Sequence, residues 1–302
     1  MIVVDLFCGV GGLSLGLQEA GFDIVAAYDF WDKAVETYNK NFNHPAFQFD
    51  LSDHEKAATL VAEYKPDVIV GGPPYIAHGF IVHNCQEFSS AGTRTEGAKA
   101  NLTASFAKTV TAVKPTWFIM ENVERATLSK AYQEARKIFK DAGYGLSENV
   151  LDASLCGVPQ KRKRFFCIGK LDEADNFLDA DIANGLSKTP MTIRDYFGSS
   201  LTFNDYYRHP RSYARRGVFS VDEPSPTIRG VNRPISESYV RHAGDTADPT
   251  TVKPMSFEDR AKVQTFPDDY KWSGTKTAKE QMIGNAVPVK LGAYVGNVIA
   301  NY

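Results

Sequence analysis

Residues 71–92 read GGPPYIAHGFIVHNCQEFSSAG, and Cys85 within them is a candidate nucleophile, since a thiolate adds readily to electrophilic carbon. Without residues 75–84 the stretch closes into GGPPCQEFSSAG, with the cysteine directly after a diproline. Glu121 ends the apolar run of MENV (120–123). At a buried strand end its carboxyl would hold a proton at neutral pH and donate it; an exposed one would be solvated. In QKRKRFF (160–166) Gln160, Arg162 and Arg164 alternate, so an extended chain puts them on one face with Lys161 and Lys163 on the other. That pattern reads either as a paired-arginine anion site or as solvated charge at a strand entry. DLFCGVGG (5–12) brings a tight glycine turn to a helix N-terminus, where backbone can approach a ligand. Its G-V-G-G-L-S spacing lacks G-x-G-x-x-G and disfavours a nicotinamide-dependent dehydrogenase. Asp29 and Asp50 close the next two apolar runs, placed for ribose hydroxyls and an adenine amino group. Either acid alone also reads as a helix cap, but three successive strand ends carrying such groups favour a nucleoside-type ligand.

The elements that must position these residues alternate. IVVDLFC (2–8), IVAAYDF (24–30), FQFD (47–50) and DVIVGG (67–72) predict strands, with helices over 13–21, 32–42 and 54–64 between them. TASFAKTVTAV (103–113) predicts a helix, TWFIMENV (116–123) a strand and KAYQEARKIFKDAG (130–143) an amphipathic helix stopped by glycine. Strands near 145–153 and 164–169 complete about seven. After residue 171 periodicity weakens and Gly, Pro, Arg and aromatics dominate, which predicts a small irregular or β-rich domain. Residues 278–300 regain helical spacing and are expected to pack back on the first domain.

Composition sets the bounds. The 302 residues predict one large domain, or one with a smaller partner, and 43% hydrophobic with 23% charged content predicts a soluble globular protein. A net charge of −2 excludes wholesale attraction to nucleic acid but allows a local basic face. Cys8, Cys85, Cys156 and Cys167 form no CxxC pair, which predicts reduced and mostly buried thiols, and no metal cluster is spaced for ligation. The start MIVVDLFCG has neither a basic leader nor a long apolar run, so no signal peptide and no membrane span are expected.

Six stretches carry a family resemblance: DLFCGVGG, the interrupted GGPP…CQEFS, ENV, QKRKR, MSFEDRAKVQTFPDDY (255–270) and QMIGNAVP (281–288). In this order the chain resembles the bacterial DNA (cytosine-5) methyltransferases over nearly its whole length. The resemblance implies an α/β fold: an S-adenosylmethionine-dependent, Rossmann-like domain with a mostly parallel seven-stranded sheet, formed by residues 1–170 and 278–302. A smaller, irregular, β-rich target-recognition domain would occupy 171–277. Cys85 would add to carbon-6 of a flipped-out cytosine, Glu121 would protonate or hydrogen-bond the ring nitrogen, and Arg162 and Arg164 would hold the base and nearby groups. S-adenosylmethionine would rest on Phe7, Gly9, Gly11 and Gly12, with Asp29 on the ribose, Phe30 on the adenine face and Asp50 on its amino group. Leu51, Pro73, Asn285 and Ala286 would complete that pocket, and no metal is required. Pro74, Gln86 and Ser89 would meet the target base, while Arg208, Arg211, Arg215, Arg216, Thr227 and Arg229 would contact duplex DNA, the interleaved Tyr206, Tyr207 and Tyr213 bonding phosphates or packing on sugars. The resemblance further implies a monomeric, cytoplasmic and nucleoid-associated enzyme, with a cognate restriction endonuclease as a possible companion. An RNA-directed branch of the family would take tRNA, but its CFT tripeptide is missing.

Residues 75–84 carry a second resemblance. An apolar run followed by Val82, His83 and Asn84 before Cys85 looks like the C-terminal end of an intein, without the rest of a splicing domain. YIA and FIV flank His78 and Gly79, so a hairpin is expected, and closing ten residues costs about 2 kcal/mol. Catalysis would then depend on how closely Cys85 still approaches its place, because reaction geometry tolerates little displacement. The insert is therefore compatible with an active enzyme and with an impaired one that still binds cofactor and DNA. The stretch AKANL (98–102) also departs from the family's Asp-x-Arg-Asn pattern.

Overall fold

The computed structural model describes residues 1–74, 76–77, 80–81 and 102–302. β1 (Ile2–Leu6), β2 (Asp23–Asp29), β3 (Ala46–Gln48) and β4 (Val68–Gly71) alternate with α1 (Gly12–Glu19), α2 (Asp32–Asn39) and α3 (His54–Ala62). Two short segments, β5 (Ile76–Ala77) and β6 (Phe80–Ile81), pair antiparallel with Ile76 opposite Ile81. Then come α4 (Leu102–Val113), β7 (Trp117–Asn122), α5 (Lys130–Asp141), β8 (Tyr144–Asp152), β9 (Gln160–Lys161) and β10 (Lys163–Leu171). Seven strands form one sheet in the order β3-β2-β1-β4-β7-β10-β8, as the alternation predicts. Neighbours run parallel except at β10, which lies antiparallel to both β7 and β8.

The sheet is buried on both faces, which is why VIVG and WFIMEN are near-continuous apolar runs. On one face Leu13 and Leu17 of α1 meet Leu291, Val295 and Ile299 of α10 (Val289–Ala300) over Val3, Val70, Ile119 and Phe166. Gly16 permits this, since a Cβ there would overlap the Val289 carbonyl. On the other face α3, α4 and α5 cover Val4, Leu6, Ile69, Phe118 and Met120. Phe139 stacks on Phe118 there at 4.0 Å between ring centres. Burying one such side chain contributes about 1.5–3 kcal/mol.

Beyond β10 the chain forms α6 (Asp179–Asn184), α7 (Ile193–Phe197), β11 (Asp205–Tyr207), β12 (Val218–Ser220), β13 (Ser225–Pro226), α8 (Phe257–Val263) and α9 (Lys276–Asn285). β11 pairs with β12, and β13 runs parallel to β9, carrying the later segment onto the stretch that leads into β10. The irregular texture expected here is present, with strand confined to these short pieces and helices among them. Leu178, at the N-cap of α6, and Ile182 within it lie in the same cluster as α1 and α10, although weak periodicity gave no sign of it. The C-terminal helix α10 packs on α1 and the sheet face beneath it.

Order reverses between β1 and β4, and β1, β2, β4 and β7 deliver their carboxyl ends to one edge beside that switch point. In open α/β sheets such a crevice is where ligands bind. Among the described residues no helix is long and apolar enough to span a membrane, and no cluster of groups is placed to hold a metal.

Candidate active site

The first strand end turns sharply. Phe7 has φ +61°, Gly9 +55° and Gly11 +84°. For Phe7 that left-handed backbone costs about 1–2 kcal/mol, so the surrounding structure must impose it. Gly9 N–H donates to Asp29 Oδ2 and Trp31 N–H to Asp29 Oδ1, both at 2.8 Å, locking the first loop to the second strand end. Burial raises the Asp29 pKa, and these backbone donors pull against that rise. Among the described residues nothing lies within 4 Å of a Cβ built on Gly9, whereas one on Gly12 would overlap the Val287 carbonyl. The loop is thus open above Gly9 and pressed from behind by the C-terminal segment. Tyr270 hydroxyl donates to the Val10 carbonyl from the same side.

Phe30 follows Asp29 with its ring 43% exposed. Asp50 accepts from Ser52 N–H and hydroxyl at 3.1 and 2.7 Å, so part of its role is to cap its own turn. Leu51 is buried in the core beside it. Ala286 is buried and Asn285 exposed at the end of α9. An exposed aromatic, an acid at each of two strand ends and an open glycine turn suit a purine nucleoside with a charged tail. The donor set therefore fits S-adenosylmethionine.

The opposite side of the crevice holds the proton chemistry. Glu121 is 8% exposed, and Arg164 Nε lies 2.7 Å from its Oε1. Burial pushes the Glu121 carboxyl up, while the Arg164 and Arg162 charges pull it down. The exposed strand-end alternative is therefore excluded. Asn122 Nδ2 donates to the Pro73 carbonyl at 2.9 Å, holding the diproline beside Glu121; Pro73 is buried and Pro74 exposed. A side chain on Gly72 would come within 3.1 Å of Glu121 Oε2. The alternation in QKRKR is also realised, with Gln160 and Arg162 buried and Lys161 and Lys163 exposed.

Arg162, expected with Arg164 at the base and nearby groups, gives its guanidinium to backbone carbonyls. Nη1 donates to the Ile228 carbonyl at 3.1 Å, and Nη2 to those of Gly284 and Ala286 at 3.0 Å each. Of the two arginines, Arg164 is the one whose side chain pairs with Glu121. Sequence reasoning also missed Gln264, which accepts from Gln160 Nε2 at 2.8 Å across 104 positions. Nothing in VQTF marks it, because its partner comes from a distant segment. Asp5 is a further miss. It is buried, accepts from Ser14 hydroxyl at 2.5 Å, and Ser14 in turn accepts from Tyr38 at 2.8 Å. Cys8, Cys156 and Cys167 are free and buried, matching the expected thiols.

Arg208, Arg211, Arg215, Arg216, Thr227 and Arg229 line one groove of about 510 Å³ together with Lys161. The one acid among its lining residues, Glu223, pairs with Arg216, which stacks on Phe219 at 4.1 Å. Arg208 Nη2 donates to the Thr227 carbonyl at 2.8 Å, Arg229 to that of His209, and Thr227 hydroxyl to that of Lys161 at 2.8 Å. Arg211 and Arg215 are exposed. Of the interleaved tyrosines only Tyr213 faces solvent; Tyr206 and Tyr207 are core residues, which corrects their reading as phosphate contacts. Cys85, Gln86, Ser89, His83 and Asn84 lie outside the described residues.

An α/β sheet in this strand order, with an open glycine turn and a buried carboxyl at one edge, defines a methyltransferase fold. Solved structures agree: a putative DNA modification methyltransferase encoded in an E. coli prophage superposes with a TM-score of 0.68 at 22% identity, covering 100% of this chain and 99% of that one. The S. pombe Dnmt2 methyltransferase gives 0.70 at 19%, covering 100% and 97%. A family model described as C-5 cytosine-specific DNA methylase matches residues 1–301, and the chain belongs to this family of S-adenosylmethionine-dependent DNA (cytosine-5)-methyltransferases. It is 51% identical to the Type II methyltransferase M.HgiDI of Herpetosiphon aurantiacus, over 100% of this chain and 95% of that protein. It is 50% identical to the Type II methyltransferase M.HindV of Haemophilus influenzae, over 100% and 97%.

Proposed function

We propose that this chain methylates carbon-5 of a flipped-out cytosine in a specific duplex sequence through a covalent Cys85 adduct. The observation that carries the reading is the buried Glu121–Arg164 pair beside the diproline, on the edge where the glycine loop opens. Glu121, kept protonatable by burial, serves the cytosine ring nitrogen, and Arg164 fixes its orientation. The Cys85 thiolate adds at carbon-6, carbon-5 gains the methyl and loses its proton, and Cys85 then leaves. Bound S-adenosylmethionine supplies the electrophilic methyl. Phe7, Gly9, Gly11, Gly12, Asp29, Phe30, Asp50, Leu51, Pro73, Asn285 and Ala286 bind it, without a metal. Pro74, Gln86 and Ser89 meet the target base, and the arginine groove takes phosphates and guanine edges. The division into catalytic residues 1–170 with 278–302 and recognition residues 171–277 belongs to the same proposal. So do a monomeric state, a nucleoid location and a cognate restriction endonuclease.

Residues 75–84 are proposed as an intein remnant that cannot excise itself. The β5–β6 pairing, Ile76 with Ile81 and Ala77 with Phe80, supports the expected hairpin within the insert. The insert's place before Cys85 equally favours a second reading, an impaired enzyme that binds cofactor and DNA. Transfer of labelled methyl to mixed-sequence DNA, by this chain and by one lacking 75–84, separates the two. Equal rates sink the impaired reading; label incorporated by the deletion alone sinks the tolerant one. Undiminished transfer by Cys85→Ser refutes the nucleophile, and a preference for tRNA in direct competition refutes the DNA substrate.

A further inference from the structure

Two segments assigned above to different ligands are joined backbone to backbone. Thr227 and Arg229 line the arginine groove, while Asn285 and Ala286 close α9 near the glycine loop. Buried Arg162 stands between them, donating to the Ile228 carbonyl on one side and to the Gly284 and Ala286 carbonyls on the other. Gly284 makes the approach direct, since a Cβ there would overlap the backbone of Gly230. A second strut runs alongside: Arg260 donates to the Arg229 carbonyl and pairs with Glu280 of α9. Gln160 accepts from Ile228 N–H at 2.8 Å and donates to Gln264, whose amide reaches the Ile283 carbonyl. At the far end the Val287 carbonyl rests on Gly12.

We infer that Arg162 is a positioning residue, coupling DNA engagement at Thr227 and Arg229 to the shape of the cofactor pocket at Asn285, Ala286 and Gly12. The inference rests on the proposed reading of both sites. Three carbonyl acceptors around one planar, buried cation fix the two segments in a single register, because each charge-assisted bond is costly to leave unmade. The contacts at Ile228, Gly284 and Ala286 end on backbone, so a shift of residues 227–230 passes to 284–287 rather than being absorbed by side-chain rotation. Such coupling is reciprocal: DNA tightens the cofactor by the factor with which cofactor tightens DNA.

Calorimetric affinity of the full chain for S-adenosylhomocysteine, with and without mixed-sequence duplex DNA, gives that factor. At least about fivefold is expected in the natural sequence, falling to about one in Arg162→Met and in Gly284→Ala, with partial recovery in Arg162→Lys. A merely structural role would lower melting temperature and both separate affinities but leave the ratio intact. Coupling that persists in either folded variant, or a factor of one in the natural sequence, overturns the inference alone. Failure of the natural sequence to bind DNA or S-adenosylhomocysteine overturns the reading of the sites, and this inference with it. Should Arg162→Met not fold, Gly284→Ala and amide exchange decide: DNA alone must slow exchange at residues 285–287 of the natural sequence, and unchanged exchange there overturns the coupling.

Discussion

At the sheet edge Arg164 is half-buried against buried Glu121 at 2.7 Å, whereas Arg211 and Arg215 stand exposed in a groove where the one acid among the described lining residues is already paired. In the first region a cation tunes one carboxyl, and the apolar layers on both sides of the sheet hold the geometry. In the second, positive charge is left available, and shape depends on arginine and glutamine side chains gripping carbonyls. The contrast teaches that one residue type serves two ends, set by what surrounds it. Desolvation makes a charge specific and costly; exposure makes it strong at a distance and tolerant of sequence.

The contrast can be broken from either side. Glu121→Gln keeps the shape and removes the titrating proton, so kcat should fall by about 10²–10⁴ in single-turnover methyl transfer while cofactor affinity holds. A fall below threefold would put the proton chemistry elsewhere. Phe139→Ala opens a cavity under Phe118 and should cost about 3–5 kcal/mol in urea unfolding. A cost below about 1 kcal/mol would deny that the layers fix the edge.

Asp5 tests the cost of burying charge. Burial raises its pKa to about 7, the Ser14 hydrogen bond opposing and Asp29 reinforcing the rise. The folded state therefore binds more protons than the unfolded between about pH 4 and 7. This contribution to stability is fully present at the acid end and is lost as pH rises through 7. Asp5→Asn should flatten that fall, by on the order of 1–3 kcal/mol, in melting curves across pH. An unaltered slope would show that Asp5 is charged throughout. The smallest effect belongs to the groove. Arg211→Ala and Arg215→Ala should each reduce the salt dependence of DNA binding by about one unit of slope and leave folding unchanged. Slopes identical to the natural sequence would take these arginines off the phosphates.

The sheet was legible because its strands are buried on both faces, and two-sided burial writes itself as runs such as VIVG and WFIM. Turn chemistry made the glycine loop equally readable. The alternation in QKRKR gave the faces of Gln160, Arg162 and Lys163 correctly but not the partner of Arg162, because three distant carbonyls leave no pattern in sequence. Leu178 at the N-cap of α6 and Ile182 within it escaped for a related reason: two apolar residues at so short a helix carry no readable period. Tyr206 and Tyr207 misled by composition, since aromatics among arginines suit a DNA contact and a small hydrophobic core alike.

Arg162 holds the segment 227–230 at the carbonyl of Ile228, an atom common to every amino acid. The stretch leading into β10 thus grips a part of that segment that substitution does not change, whereas the neighbouring side chains of Thr227 and Arg229 change with the residue. On the proposed reading of Thr227 and Arg229, chimeras that exchange this segment among relatives would have to preserve its backbone path past Arg162, Gln160 and Arg260 and the bare surface of Gly284. New target sequences would then come from replacing readers without rebuilding the machine that receives them.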